Sequence, residues 1–189
     1  NGSAYTSQSG AWYSGGADVA EYYPSRENLE GGEVVATDQT YQTDQSYGVI
    51  RSTQAYQKDL MGIVSTQPGF VAGAYTDNGY PIALSGRVPV KVSTESGPIE
   101  VGDYLTSSST PGVAMKATKA GPTVGKALEG YSEQGTAKIM AFVNVSWYDP
   151  DALRDNLSDV SINLLNGLTF NSATSKLYSV SSSTSGAIT

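Results

Sequence analysis

Two short stretches, Lys91-Val92-Ser93 and Lys116-Ala117-Thr118, place a lysine two residues before a hydroxyl. On a strand that spacing puts both side chains on one face, where an amine can act as base to a nucleophilic oxygen. The same spacing arises by accident in any Ser/Thr-rich strand, and 25 Ser and 17 Thr make this chain rich in both. Asp149, Asp151, Asp155 and Asp159 offer oxygen ligands of the kind calcium takes. They surround an expected helix start and lack the glycine-centred loop of an EF-hand, so solvated acids near a helix N-terminus account for them. Glycine-rich loops occur, but GxxxxGK[ST] does not, nor does GxGxxG in a βαβ setting, so no motif supports nucleotide binding. His and Cys are both absent. That removes thiolate and imidazole metal sites, cysteine nucleophiles, imidazole triads and disulfides, and no cofactor or metal is expected.

The elements that must position any site belong to a chain of 189 residues, long enough to bury a sizeable core. Charged residues are only 15% of it, so Gly and hydroxyl side chains, not charge, keep it soluble. With 11 basic and 18 acidic residues the net charge is −7. A groove tracking a phosphate backbone would have few cations to line it, and nucleic acid is not an expected partner. No apolar run approaches the length of a membrane span, and the opening NGSAYTSQSG lacks the basic and apolar regions of a signal peptide. Low Lys and Glu, with abundant Ser, Thr, Gly and 13 Tyr, is the composition of an exported surface protein.

Alternation with a period of two, punctuated by Gly, Pro and Asn, predicts short strands near 33–38, 47–53, 60–66, 81–93 (as two strands), 101–107, 112–118, 123–129 and 137–147. Turn signals lie between them, among them Asp77-Asn78-Gly79, Ser96-Gly97-Pro98 and Pro111-Gly112. The fold class is therefore all-β, a compact barrel or sandwich. A weak duplication runs through it. Leu29-Glu30-Gly31-Gly32-Glu33-Val34-Val35 lies on Ile99-Glu100-Val101-Gly102-Asp103-Tyr104-Leu105. Gly48-Val49-Ile50-Arg51 and Gly112-Val113-Ala114-Met115-Lys116 follow, then Met61-Gly62-Ile63-Val64 and Val124-Gly125-Lys126-Ala127. Four matches in order, counting the long apolar strand that ends each copy, are a poor product of chance. They predict two β units related by an approximate two-fold, their residues serving as scaffold.

The ends differ from this middle. Residues 1–17 are polar with Tyr5, Trp12 and Tyr13 inserted, which predicts an extended N-terminal arm before a β domain over 18–148. Within 149–189, Asp149-Pro150 starts an expected short helix, with Leu153, Leu157, Val160 and Leu164 at helical spacing and Gly167 as stop. The last residues, with Leu177, Tyr178 and Val180 among small hydroxyl residues, predict a strand or tail. Such arms can add strands to a neighbour's open sheet.

Gly15-Gly16-Ala17-Asp18-Val19-Ala20-Glu21-Tyr22-Tyr23, with Gly31-Gly32-Glu33-Val34-Val35 and Met61-Gly62-Ile63-Val64-Ser65-Thr66-Gln67-Pro68-Gly69, resembles the peptidase G2 domain of bacteriophage appendage and tail-spike proteins. Related domains of large bacterial surface proteins look similar. The resemblance covers roughly residues 15–70, with weaker similarity through 147. It implies that Asp18 and Glu21 are catalytic acids of a self-cleavage motif, that the bond cut lies between Ala17 and Asp18, and that the domain assists assembly of an upstream β-helical protein. A carboxylate pair can protonate an amide and activate water when burial separates the two pKa values. This chain has Ala17 where the family often has Ser, which fits a copy that kept the fold and lost the cleavage. Asp18 and Glu21 are then turn and strand-edge carboxylates.

Three functions stay open. The first is a non-enzymatic, self-assembling module of an extracellular appendage, a filament subunit or fibre domain on a cell surface or virion, whose partner is itself. The second is a self-cleaving assembly domain. The third is a glycan-binding adhesin module, with Trp12, Tyr13, Tyr75, Tyr80 and Trp147 as stacking candidates for surface glycans.

Overall fold

The computed structural model describes residues 5–6, 12–13, 16–43, 46–73, 78–152, 168–171 and 176–179. Its strands are β1 (Tyr5–Thr6), β2 (Trp12–Tyr13), β3 (Asp18–Pro24), β4 (Val34–Thr43), β5 (Ser46–Arg51), β6 (Leu60–Val64) and β7 (Phe70–Ala72). They continue with β8 (Gly79–Ser93), β9 (Tyr104–Ser107), β10 (Ala114–Lys116), β11 (Gly121–Ala127), β12 (Thr136–Tyr148), β13 (Leu168–Asn171) and β14 (Lys176–Ser179). Ten of them form one sheet in the order β10-β9-β11-β12-β8-β6-β4-β5, with β3 on β8 and β7 on β3. The chain divides into two units, Asn1–Tyr148 and Asp149–Thr189. Among the described residues no helix is long and apolar enough to cross a membrane.

The class is all-β, as the alternation predicts, and the sheet order repeats the duplication. Outward from the β8–β12 pair, β6-β4-β5 on one side answers β11-β9-β10 on the other. The equivalence extends to single hydrogen bonds. Gly32 and Gly102 take left-handed φ values of +92° and +94° in matching turns. The Glu30 N–H donates to Glu33 Oε2 at 2.9 Å, and the Glu100 N–H to Asp103 Oδ2 at 2.8 Å. Gly32 N–H donates to Val64 O, as Gly102 N–H does to Ala127 O, both at 2.8 Å. The acid in each turn therefore satisfies its own backbone and then takes a cation from the next strand but one. Arg51 Nε reaches Glu33 at 2.9 Å and Lys116 Nζ reaches Asp103 at 2.8 Å.

Valine and isoleucine at alternate positions supply the interior. One buried cluster joins Val34, Ile63, Val88, Val90, Val92, Leu105, Val124 and Val143 across both copies, and a second gathers Leu29, Val35, Val49, Val64 and Ile82.

One expectation changes. Residues 81–93 form one strand rather than two. Ser85-Gly86-Arg87 looks like a turn in sequence, but β12 and β3 pair along it and hold the kink at Gly86 inside a continuous β8. At the ends the described strands pair antiparallel. Tyr5 stands opposite Tyr13 and Thr6 opposite Trp12 in one hairpin, while Phe170 opposite Leu177 and Thr169 opposite Tyr178 make another. Val180 and the expected helix beyond Ala152 lie outside the described residues. At the start of that helix, Asp149 Oδ1 accepts the Asp151 N–H at 2.9 Å.

Candidate functional site

Asp18 opens β3 opposite Gly86 of β8. Alternation along β3 turns Asp18 and Ala20 inward, and both are buried. The chain here is hemmed in by backbone. A Cβ on Gly86, whose φ is +108°, would lie 2.4 Å from Ala17 O and 2.6 Å from Asp18 Cα. A Cβ on Gly16 would lie 2.2 Å from Gln67 O. Glycine at both positions is what lets the Gly16-Ala17-Asp18 segment thread between the 67–69 turn and β8. Two carbonyls of the segment are held, Ala17 O by the Arg87 N–H at 3.1 Å and Asp18 O by the Gly69 N–H at 2.8 Å.

The Asp18 carboxyl has no full set of partners. Its Oδ2 is buried without a hydrogen bond, and the nearby Ser65 hydroxyl, also buried, stops short of hydrogen-bonding geometry. Burial pushes the Asp18 pKa up, and the Ser65 hydroxyl and the residue's own N–H offset only part of that. A carboxyl whose pKa is raised, beside an amide whose carbonyl accepts an N–H bond, has the geometry of a general acid next to a donor that steadies charge on oxygen.

Glu21 stands elsewhere. It lies out of phase with the buried Asp18 and Ala20, and its Oε2 accepts the Tyr23 hydroxyl at 2.9 Å. Burial, together with that bond, raises the tyrosine pKa to about 12. Asp18 and Glu21 are therefore not brought together on one bond in this conformation. Ser65, Gly86 and Arg87 complete the surroundings of Asp18. A lone glycine inside a strand, as at Gly86, is the kind of signal that marks close backbone approach, but the split of 81–93 into two strands hid it. Ser65 lies in a stretch that carries the family resemblance, while nothing in the sequence marks Arg87.

The lysine–hydroxyl pairs do not form. Lys91 Nζ is taken by Glu30 at 2.7 Å and Glu33 at 2.9 Å, and the buried Ser93 hydroxyl has no hydrogen-bond partner. Lys116 binds Asp103, while Tyr56 and Thr118 bring their hydroxyls together at 3.3 Å. Of the stacking candidates, Trp147 is exposed, whereas Tyr80 packs on the second buried cluster. The side chains of Trp12 and Tyr13, and all of Tyr75, lie outside the described residues.

Asp18→Asn is expected to stabilise the chain at pH 7 by about 1 kcal/mol, the scale for a buried polar group lacking a partner. The sign follows from the raised pKa. Folding disfavours ionised Asp18, so wild-type stability from this group is full below the ordinary value of 3.8 and is lost as pH rises through the folded pKa. Thermal unfolding of both proteins should show the gap closing as pH falls. A variant less stable than wild type at neutral pH would mean that the charged carboxylate is satisfied.

No protein-family model matches the chain, and no curated protein matches it. Two solved structures from bacteriophage phi29 are similar. One is the C-terminal fragment of gene product 12, at a TM-score of 0.42 and 16% identity over 68% of this chain and 100% of that one. The other is pre-mature gene product 12, at a TM-score of 0.45 and 13% identity over 71% of this chain and 22% of that one.

Proposed function

We propose that this chain is a structural, self-assembling β module of an extracellular appendage, a filament subunit or tail-fibre-type domain, whose copies join through the hairpins at its ends. The observation that supports this reading is that β1–β2 and β13–β14 each form a two-stranded sheet with no third strand among the described residues. A lone two-stranded hairpin is marginal in water and gains stability when another strand or an apolar face completes it. A second copy supplies that strand by augmentation. Cell-surface or virion location follows from the same reading.

Native mass spectrometry tests it. The full chain is expected as an assembly of intact 19.8 kDa subunits, and a chain lacking residues 1–15 as monomers that keep the β circular-dichroism signal. The cut stops before Gly16 because that residue packs against the 67–69 turn. An assembly unchanged by the deletion rejects the N-terminal hairpin as the link.

A second reading, self-cleavage between Ala17 and Asp18, is favoured by the buried Asp18 carboxyl and the Arg87 N–H on the Ala17 carbonyl. In such a hydrolysis water adds to the Ala17 carbonyl carbon, the C–N bond breaks, and the Asp18 nitrogen leaves as an amine with a proton from an acid. Intact-mass analysis would show two fragments in wild type and one chain in Asp18→Asn. Fragments persisting in Glu21→Gln would assign the chemistry to Asp18 without Glu21.

A further inference from the structure

On the outer face of the sheet, four side chains from four strands line up across the hydrogen-bonding direction. Tyr104 of β9 stands opposite Lys126 of β11, Lys126 opposite Phe142 of β12, and Phe142 opposite Arg87 of β8. Directly opposed residues on antiparallel strands share a face, and this face is outward. The chain neighbours Leu105, Ala127, Ala141, Val143 and Val88 are all buried, while Phe142 is 43% exposed.

The row is built as well as aligned. The Tyr104 ring stacks on Tyr148, with centroids 4.4 Å apart and planes 20° from parallel. Lys126 Nζ lies over the Tyr104 ring at 4.4 Å, which holds the ammonium against the sheet instead of letting it swing into water. Tyr104, Gly125, Lys126, Phe142 and Asn144 enclose a slot of about 300 Å³. Neither Lys126 nor Arg87 has an ion-pair partner among the described residues, although the chain's net charge is −7.

We propose that this row is a binding site for an acidic carbohydrate. The exposed Phe142 ring can take the apolar C–H face of a pyranose, the Asn144 amide can both donate to and accept from its hydroxyls, and two cations without ion-pair partners suit a carboxylate on the sugar. The row crosses three strand spacings, about 14 Å, so it accommodates a short oligosaccharide. A second copy of the chain is a poorer occupant. Apposing two such rows would set cations against cations.

Calorimetric titration of the full chain with trigalacturonate, sialyllactose and the neutral maltotriose tests the assignment. An acidic sugar is expected to bind and maltotriose not to. Phe142→Ala and Lys126→Gln should each weaken binding about tenfold, the scale of a lost aromatic or cationic contact. Rising salt should weaken the acidic sugar in wild type and have less effect on Lys126→Gln. Lys126→Gln leaves the aromatic stack in place, so a folding defect in Phe142→Ala does not decide the matter. Failure of both acidic sugars, equal binding of maltotriose, or unchanged affinity in both variants overturns the proposal. A drop in assembly mass in Phe142→Ala without sugar binding to wild type also overturns it and assigns the face to a second copy.

Discussion

Replacing Glu33 with Gln is expected to destabilise the folded chain by about 3 kcal/mol, at the low end of what removing one partner from a buried ion pair costs. The Glu33 side chain is only 6% exposed and serves two cations, Arg51 at 2.9 Å and Lys91 at 2.9 Å. Glutamine keeps the shape and one acceptor oxygen but leaves those charges to Glu27 and Glu30, which lie nearer water. The low end applies because Arg51 and Lys91 are themselves partly solvated. The duplication supplies an internal control. Asp103 takes the same place in its own turn but holds one cation, and both partners are more exposed, so Asp103→Asn should cost no more than about 1 kcal/mol. Urea unfolding at pH 7 measures both, and equal losses would refute the distinction.

The same pair of proteins carries a pH signature. Burial alone would raise the Glu33 pKa, but the Glu30 N–H, Arg51 and Lys91 together outweigh it and hold the carboxyl below its ordinary 4.5. An acid with a lowered folded pKa contributes stability that is complete above the unfolded value and is lost as pH falls through the folded one. The gap between wild type and Glu33→Gln should therefore be constant near neutral pH and shrink below 4.5. Asp18 runs in the opposite sense, so its variant separates the two contributions.

Gly125→Ala is expected to cost about 3 kcal/mol, near the upper end for overpacking, because the obstacle is backbone. A Cβ there would sit 2.2 Å from Phe142 O and 3.0 Å from Phe142 C, and no rotamer change relieves either. Gly62 holds the equivalent position in the other copy, with Ala83 O at 2.3 Å from its Cβ. Gly62→Ala should therefore behave alike, through the same contact between a short strand and the long strand beside it. An unfolding midpoint unchanged by either substitution would show that the long strands can yield.

Much of the scaffold was legible before any coordinates. The apolar alternation of Val34-Val35, Val88-Val90-Val92 and Ile139-Ala141-Val143 marks strands whatever their neighbours. The repeated glycine and acid at Gly32-Glu33 and Gly102-Asp103 mark turns that fold back on their own N–H groups. Asp18–Pro24 was harder to read as a strand, because Glu21, Tyr22 and Tyr23 are all half-buried and blur the alternation. Gly86 looked like a break because a glycine between polar residues signals a turn locally, and only the partners on either side convert it into a kink. Of the aromatic residues singled out as stacking candidates, Trp12 and Tyr13 lie in the N-terminal end and Tyr75, Tyr80 and Trp147 in the β domain. The aligned ones, Tyr104 and Phe142, sit in strands that sequence assigns simply to scaffold.

By itself, then, the sequence determined the β class, the two-copy plan, the acidic balance and the absence of imidazole and thiol chemistry. Each of these is written in composition or in short-range period. The tertiary structure decided which residues face one another. It placed Asp18 against Gly86 and Arg87, gathered Glu30, Glu33, Arg51 and Lys91 around one buried carboxylate, and set Tyr104, Lys126, Phe142 and Arg87 in a row. Period two assigns a residue to a face relative to its own strand neighbours. Strand order and register come from packing between segments far apart in the chain, and a one-residue slip would turn every one of those side chains to the other face.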